Sequence, residues 1–386
     1  MTAVAPATAA ALRRALLAWY DRARRDLPWR GPRGEAQPAV DPYAAWIAEV
    51  MLQQTQVATA LPYWRRFLGR FPTLDALARA REEDVLAAWS GLGYYARARR
   101  LGPAAREALA RHGGLPRTLE QLRELPGFGP YTAGAVASIA FGVRAPAVDG
   151  NAVRVLARLF AIRGDPTSPA VKRRLEAIAA ALVPERRPGD WNQAVMELGA
   201  TLCRKPTPAC ERCPVAPRCE ARRAGAEREI PPARTRAPRR ALLVACALDP
   251  GAGAVALVRR PPGGLFGGLW DLPGVEVRSW RGAEAALGRL LEGLGGPSVR
   301  VGRMLAEVER TLTHRDLRLR AYACALPRRG RGGDVPALRW VELRDIEGLG
   351  VPTATRALLD AALAAAADRV GSRDQGSSLT GGPRSV

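Results

Sequence analysis

Cys203, Cys210, Cys213 and Cys219 are separated by six, two and five residues within a basic stretch, and no other feature constrains the chain so sharply. Four thiols within 17 residues, with no histidine among them, offer one centre four soft ligands, the donor set of an iron-sulfur cluster. A structural zinc is the nearest alternative. Zinc modules commonly present two close pairs parted by a longer loop, and here only Cys210 and Cys213 are close-spaced. A disulfide framework fits less well with a chain of 386 residues in which no secretory signal is read.

A hydrophobic content of 47% is enough to bury a real core, and the length suggests two or three domains. The formal charge of +22 and the pI near 11.1 point to a polyanionic partner, with DNA, RNA and an anionic membrane surface all open on charge alone. No apolar run approaches the roughly 20 residues that span a bilayer, so no membrane association and a cytoplasmic, reducing setting are expected. Lysine occurs only as Lys172 and Lys205. Nearly all the positive charge is arginine.

From about residue 8 to 222, Ala, Leu and Arg recur at three- and four-residue intervals between Pro and Gly breaks, the pattern of several short helices. Residues 224–240 carry three prolines and no apolar periodicity, which is linker composition. Beyond them, 241–248, 255–260 and 317–326 read as strands, and 283–294 and 353–366 as helices. The expected organisation is an all-α domain over 1–222, a linker over 223–240, a smaller α+β domain over 241–368 and a disordered tail over 369–386.

Three segments carry residues suited to chemistry. In LPGFGPYTAGAVASIAF (125–141) a Gly-x-Gly turn joins one helix to another that Pro130 can open. Gly127 and Gly129 let the backbone come close to a ligand, and the amides opening the second helix can bind a phosphate; an ordinary helix-to-helix turn is the alternative. In DPYAAWIAEVMLQQTQV (41–57), Asp41 and Pro42 mark a helix start, and Glu49 stands at the border of an apolar stripe. A carboxyl desolvated there has its pKa raised and suits a general acid, whereas a solvated helical glutamate would do nothing of the kind. Gln53 and Gln54 add amides able to meet base edges or simply to face water. In AVDGNAVRVLARLF (147–160), Asp149 and Asn151 precede an amphipathic helix, as caps or as a second site of chemistry.

Taken together, IAEVMLQQTQVATALPYW, GLGYYARARRL, LPGFGPYTAGA, VDGNAVRVLAR, WNQAVMELGA and the cysteine array resemble, in order and spacing, the MutY-type adenine DNA glycosylases. The resemblance is dense over about residues 15–222. That family belongs to the helix-hairpin-helix superfamily, with endonuclease III, and removes adenine mispaired with 8-oxoguanine or guanine. The resemblance implies Glu49 as the acid that protonates adenine, Asp149 as the carboxylate facing the sugar cation, and Tyr131 as their organiser. It also implies a 4Fe-4S cluster on Cys203, Cys210, Cys213 and Cys219. Double-stranded DNA is the expected partner of a monomer working at the bacterial nucleoid, with contacts from Gln53, Gln54, Tyr94, Gly127, Gly129 and Asn151. Of these, Gln54 and Tyr94 are expected to wedge the duplex beside the 8-oxoguanine, offsetting part of the cost of base extrusion.

PPGGLFGGLWDLPG (261–274) resembles the opening of the Nudix-like domain that closes this family's chains. Setting the Nudix-box glycine on Gly295 puts Gly288, Arg289, Glu292 and Gly293 where a working hydrolase has R-E and E-E, so most metal carboxylates are missing. A recognition module is expected. The family's Phe-Ser-His turn becomes Leu312-Thr313-His314, in which Thr313 keeps the hydroxyl, His314 matches, and Leu312 cannot stack as phenylalanine does.

Two other readings remain: a lesion-binding protein without catalysis, and an endonuclease III-like lyase acting on oxidised pyrimidines. Glu49 and Asp149 speak against the first, because binding needs neither. The lyases carry a Schiff-base lysine 18 residues before the aspartate, where this chain has Tyr131, and a phenol forms no imine. Borohydride treatment of the protein on lesion DNA is therefore expected to trap no robust covalent adduct; a strong adduct would restore the lyase reading.

Overall fold

A computed structural model describes residues 4–31, 40–233, 238–250, 253–294, 299–326 and 338–375, with backbone alone for 367–375. The helices before the sheets are α1 (Pro6–Ala23), α2 (Pro42–Leu52), α3 (Val57–Arg70), α4 (Leu74–Arg79), α5 (Glu82–Trp89), α6 (Tyr95–His112), α7 (Leu119–Glu124), α8 (Pro130–Phe141), α9 (Gly150–Leu159), α10 (Pro169–Leu182), α11 (Pro188–Thr201) and α12 (Glu220–Arg223). Then come β1 (Arg240–Leu248), β2 (Ala254–Arg259), β3 (Trp270–Asp271), β4 (Gly274–Val277), α13 (Ala283–Gly293), β5 (Val301–Thr311), β6 (Arg315–Cys324), β7 (Arg339–Glu342) and α14 (Thr353–Gln375). Among the described residues no helix is long and apolar enough to cross a membrane.

The chain divides into two compact units, one of residues 1–80 and 96–235 and the other of 81–95 and 236–386. In the first, one core is built from α1, α9, α10 and α11. Leu12, Leu16 and Tyr20 of α1 meet Val155, Leu156 and Leu159 of α9, Leu175 and Ile178 of α10, and Trp191, Val195 and Leu198 of α11. The three- and four-residue spacing of these positions puts each set on one helical face. The segment after the cysteines joins this core, with Val215, Ala221, Ala226 and Ile230 all buried. The linker expected from 223 thus packs as structure to about residue 231: Arg158 Nε donates to Ile230 O at 2.8 Å and Lys205 Nζ to Pro231 O at 3.2 Å. Apolar side chains too sparse to show a period still find burial there. Residues 234–237 of that linker lie outside the described residues.

A second helical layer pairs α2 with α8, and α8 with α11. Helix α2 is capped by Asp41, whose Oδ1 accepts from Tyr43 N at 2.9 Å, with Pro42 opening the first turn. Helix α8 runs from Pro130 to Gly142, which ends it in the left-handed conformation. On α11, Asn192 is buried and fully engaged. Its Nδ2 donates to Ser138 Oγ and to Ala145 O, both at 2.8 Å, and its Oδ1 accepts from Ala147 N at 3.2 Å. One side chain thereby ties the segment between α8 and α9 to α11.

The second unit is an α+β body with a four-stranded sheet, β4-β1-β6-β5, in which β1 and β6 run parallel, and a three-stranded antiparallel sheet, β3-β2-β7. Helix α13 buries Ala283, Leu287 and Leu291 with Ala245, Ala247 and Tyr322, while α14 buries Ala354, Leu358 and Leu359 with Leu317, Leu319 and Leu349. Strand β5 escapes sequence reading because it is an edge strand with two register shifts near Met304 and mostly exposed or half-exposed side chains. Residues 81–95, expected with the helical block, group with this unit instead. The tail expected from 369 is helical through Gln375, an extension of the Ala-rich run 361–367 in which each added residue gains one helical bond. Gly295 and residues 376–386 lie outside the described residues.

Packing is close between α9 and α11, where a Cβ on Gly199 would stand 2.6 Å from Asn151 Cβ and 3.0 Å from its backbone. Replacing Gly199 by Ala is expected to lower stability by about 1–3 kcal/mol through overpacking, read from the urea midpoint; an unchanged midpoint would show that α9 can retreat freely.

Candidate active site

Glu49 lies in the third turn of α2 with Trp46, Ile47, Val50 and Met51 buried around it, and is itself only 5% exposed. Its place at the border of an apolar stripe suggests partial desolvation; the packing of α8 over α2 makes the burial nearly complete. Burial pushes its carboxyl up to about 7, against the pull of the Tyr131 hydrogen bond and of the Arg30 charge, with Asp149 adding a further push upward. The Tyr131 hydroxyl donates to Glu49 Oε2. Burial first, then the negative charge of Glu49, hold that phenol well above its ordinary pKa, so it remains a donor at neutral pH.

Tyr131 is placed by the hairpin between α7 and α8. Gly127 adopts φ 83°, and any Cβ there would fall 2.9 Å from Arg100 Cβ, so the turn requires glycine on both counts. Between the two glycines Phe128 points inward and stacks on Trp46 at 5.2 Å, one turn before Glu49. Gly129 caps α8, and the first α8 amides have no intrahelical partner. Acid helix and hairpin are thus joined by a buried aromatic pair as well as by the phenol–carboxylate bond.

Asp149 caps α9 and at the same time stands within electrostatic reach of Glu49 and Tyr131. Its Oδ1 accepts from Ala152 N at 2.7 Å and its Oδ2 from Asn151 Nδ2 at 2.8 Å. Burial raises its pKa, while these donors and Arg154 pull the other way. The capping and chemical readings of Asp149 are therefore compatible, because the donors that cap the helix favour the ionised carboxylate. The two acids, Glu49 buried and Asp149 half-buried, have unequal environments: several donors on Asp149, one phenol on Glu49.

Gln53 ends α2 and donates from Nε2 to Thr132 Oγ1 at 3.0 Å. Gln54 follows at φ 60°, an uncommon conformation for a residue with a side chain. Arg97 holds this turn, its Nη1 donating to Val50 O at 2.8 Å, to Met51 O at 3.0 Å and to Gln53 O. Tyr94, Thr313 and His314 belong to the second unit. There Thr313 and His314 form the exposed tip of the β5–β6 hairpin, closed by Leu312 N donating to Arg315 O at 2.8 Å, and the Tyr94 hydroxyl lies 3.0 Å from Thr313 Oγ1. Leu312 packs partly buried against that unit's core. It anchors the tip, in keeping with a side chain that has no ring to stack.

Residues missed from sequence complete the first unit's site. Glu197 on α11 is buried and accepts from Arg25 Nε at 2.7 Å, Arg25 Nη2 at 2.9 Å and Arg30 Nη2 at 2.9 Å; Arg30 also acts on Glu49. The preceding residue, Met196, puts its sulfur 3.6 Å from the Tyr131 hydroxyl. An acid inside the apolar helix run WNQAVMELGA was a legible sign that a buried cation must face it. That the partners are Arg25 and Arg30, some 170 positions away in the chain, was not.

The four cysteines are half-buried and free of disulfides, and they feel one another's charge. Arg158 Nη1 donates to Cys203 Sγ at 3.2 Å, and Cys219 Sγ lies 3.4 Å from Arg158 O. Arg154 spans from Cys203 O at 2.7 Å to Gly199 O and Asn151 Oδ1, each at 2.8 Å, linking this loop to the Asp149 cap. Burial pushes the Cys213 thiol up to about 11, so holding it as thiolate requires a compensating cation, which soft-metal ligation supplies. Among the described residues no three His, Cys, Asp or Glu side chains form a group able to hold a single metal ion.

The HhH-GPD superfamily of base excision DNA repair proteins matches residues 47–180, and the NUDIX domain family matches 244–361. The chain is 40% identical to an adenine DNA glycosylase of Homo sapiens over 401 residues, covering 90% of this chain and 73% of that one. With the adenine DNA glycosylase of Mus musculus it shares 39% over 395 residues, covering 90% and 76%. Among solved structures, a thermostable thymine-DNA glycosylase superposes with a TM-score of 0.50 at 28% identity, over 56% of this chain and 98% of that one.

For the Glu49 carboxyl, a midpoint near 7 is expected in a carbon-detected NMR titration. Because the Tyr131 hydrogen bond lowers that value, Tyr131→Phe should move it upward; a parental midpoint near the ordinary 4.5 would contradict the burial argument.

Proposed function

Because the chain belongs to the adenine DNA glycosylase family, we propose that it hydrolyses the N-glycosidic bond of adenine mispaired with 8-oxoguanine or guanine in double-stranded DNA. The observation that carries this reading is two carboxyls with unequal partners, Glu49 buried and near neutrality and Asp149 half-buried and held by donors. Adenine is a poor leaving group until a ring nitrogen is protonated, and as its bond to C1′ breaks, positive charge develops on the sugar. Glu49 delivers the proton, the bonding electrons leave with the base, and ionised Asp149 stabilises the oxocarbenium-like centre until water adds to C1′. Tyr131 holds Glu49 in place, and no lysine stands there to form an imine.

In this reading Gln53, Gln54, Asn151 and the Gly127–Gly129 hairpin meet the opened duplex, while Tyr94, Thr313 and His314 examine the base opposite adenine. The Nudix-like unit acts as a recognition module, since α13 carries Gly288, Arg289, Glu292 and Gly293 where a hydrolase needs a set of metal carboxylates. A 4Fe-4S cluster on Cys203, Cys210, Cys213 and Cys219 suits the all-thiol donor set and serves to fix the loop, supplying no step of the hydrolysis. Through Arg154 the same loop steadies Asn151 and, with it, the cap that presents Asp149.

Single-turnover release of adenine opposite 8-oxoguanine tests the reaction. The rate is expected to fall as pH rises through about 7, where Glu49 loses its proton, and to fall again in acid as Asp149 becomes protonated at a value above that of an ordinary aspartate. Glu49→Gln should lower the plateau by about 10²–10⁴-fold, the usual contribution of a general acid. Parental rates in that variant would remove Glu49 from the chemistry.

A further inference from the structure

Segment 81–95 lies inside the residues matched by the glycosylase family, yet it packs with the Nudix-like strands. Near its start, Glu83 Oε1 accepts from Trp270 Nε1 at 3.0 Å and from Arg339 Nη1 at 2.7 Å, and the Arg339 guanidinium lies 5.1 Å from the centre of the Trp270 ring. One carboxylate oxygen thus joins β3 and β7 to α5. Glu82 adds a longer pair with Arg259 at 3.5 Å. At the end of α5, Ser90 Oγ donates to Val351 O at 3.0 Å, and Leu86 stands so close to Gly350 that a Cβ there would lie 3.3 Å away.

The chain then turns through Gly91, Gly93 and Tyr94, all at positive φ, with Trp89 Nε1 donating to Gly93 O at 2.9 Å. Tyr94 sits at φ 52° and is 43% exposed. A side-chain residue in that conformation persists where its surroundings impose it, and a single neutral hydroxyl pair with Thr313 contributes only about 1 kcal/mol. Helix α5 is what anchors the segment to the strands, and its shortest charged contact with them is Glu83–Arg339 at 2.7 Å, against 3.5 Å for Glu82–Arg259. We propose that Glu83 is a positioning residue for recognition of the base opposite adenine, setting the Tyr94–Thr313 pair through α5. The proposal rests on the reaction proposed above, and it makes the recognition device a product of both family regions.

The test uses the full chain and compares kcat/KM for adenine release opposite 8-oxoguanine with that opposite guanine. Glu83→Gln keeps the volume and removes the charge, and Arg339→Gln breaks the same contact from the other side. Each is expected to lower the 8-oxoguanine preference by about fivefold, the upper range for a partly exposed hydrogen-bonded ion pair. The single-turnover rate at saturating enzyme opposite 8-oxoguanine should stay within about twofold of the parent, since an interaction made only for recognition is lost from binding. Thr313→Val should reduce the same ratio, and Glu83→Gln added to it should reduce it little further, because the two act as one device. An unchanged ratio in Glu83→Gln, equal losses opposite both bases, or full additivity with Thr313→Val would overturn the proposal. A parent that releases no adenine from either duplex would overturn the reaction itself, a result distinct from any behaviour of the variants.

Discussion

A carboxyl group buried at the centre of a helical domain and held near neutrality is the constraint around which the first unit is arranged. Glu49 is 5% exposed, and desolvation of that degree drives an acid toward its neutral form unless something opposes it. The opposition is graded. Tyr131 offers one neutral donor and Arg30 a charge that is already bound to Glu197. A full ion pair would favour the ionised carboxylate, whereas with no partner burial alone would push its pKa higher still. Placing Arg30 between two acids, and bonding it to Glu197, supplies a field without supplying a proton acceptor's partner.

Helix α11 converts that electrostatic arrangement into a fixed geometry. Along one helix, Asn192 fastens the segment leading to Asp149, Met196 and Glu197 reach Tyr131 and Arg30, and Gly199 admits Asn151. Its end feeds directly into Cys203. A disturbance of the cysteine loop is therefore transmitted first to α11 and, through Arg154, to the cap of α9. A loop well away from the acids in sequence is in this way joined to the elements that hold them.

Much of this was legible in the residues. Asp41-Pro42 and Gly129-Pro130 mark the starts of α2 and α8 by local chemistry that needs no tertiary context, and the same holds for the Asp149 cap. The cysteine spacing and the tyrosine at 131 are likewise visible in one dimension. The Glu197 network, the Arg97 bonds to the end of α2 and the seating of α5 on Trp270 and Arg339 join residues that only folding brings together. Strand β5 and the packed part of the linker were missed for another reason: their apolar residues are few, and periodicity fails where burial is partial.

The charge of +22 itself has two uses. Arg13, Arg97, Arg154, Arg158 and Arg356 direct their guanidiniums at backbone carbonyls, at helix ends or in loops where the carbonyls lack helical partners. A planar fork of five donors can gather several such oxygens at once, as Arg97 does, which a lysine ammonium on a flexible stem does poorly. Arginine therefore serves the fold and the polyanion together, and a chain with only two lysines loses little by it. The same bias leaves the Tyr131 position without an amine nearby in sequence. A near-neutral buried carboxyl and the phenol that donates to it are what these positions offer in place of an amine.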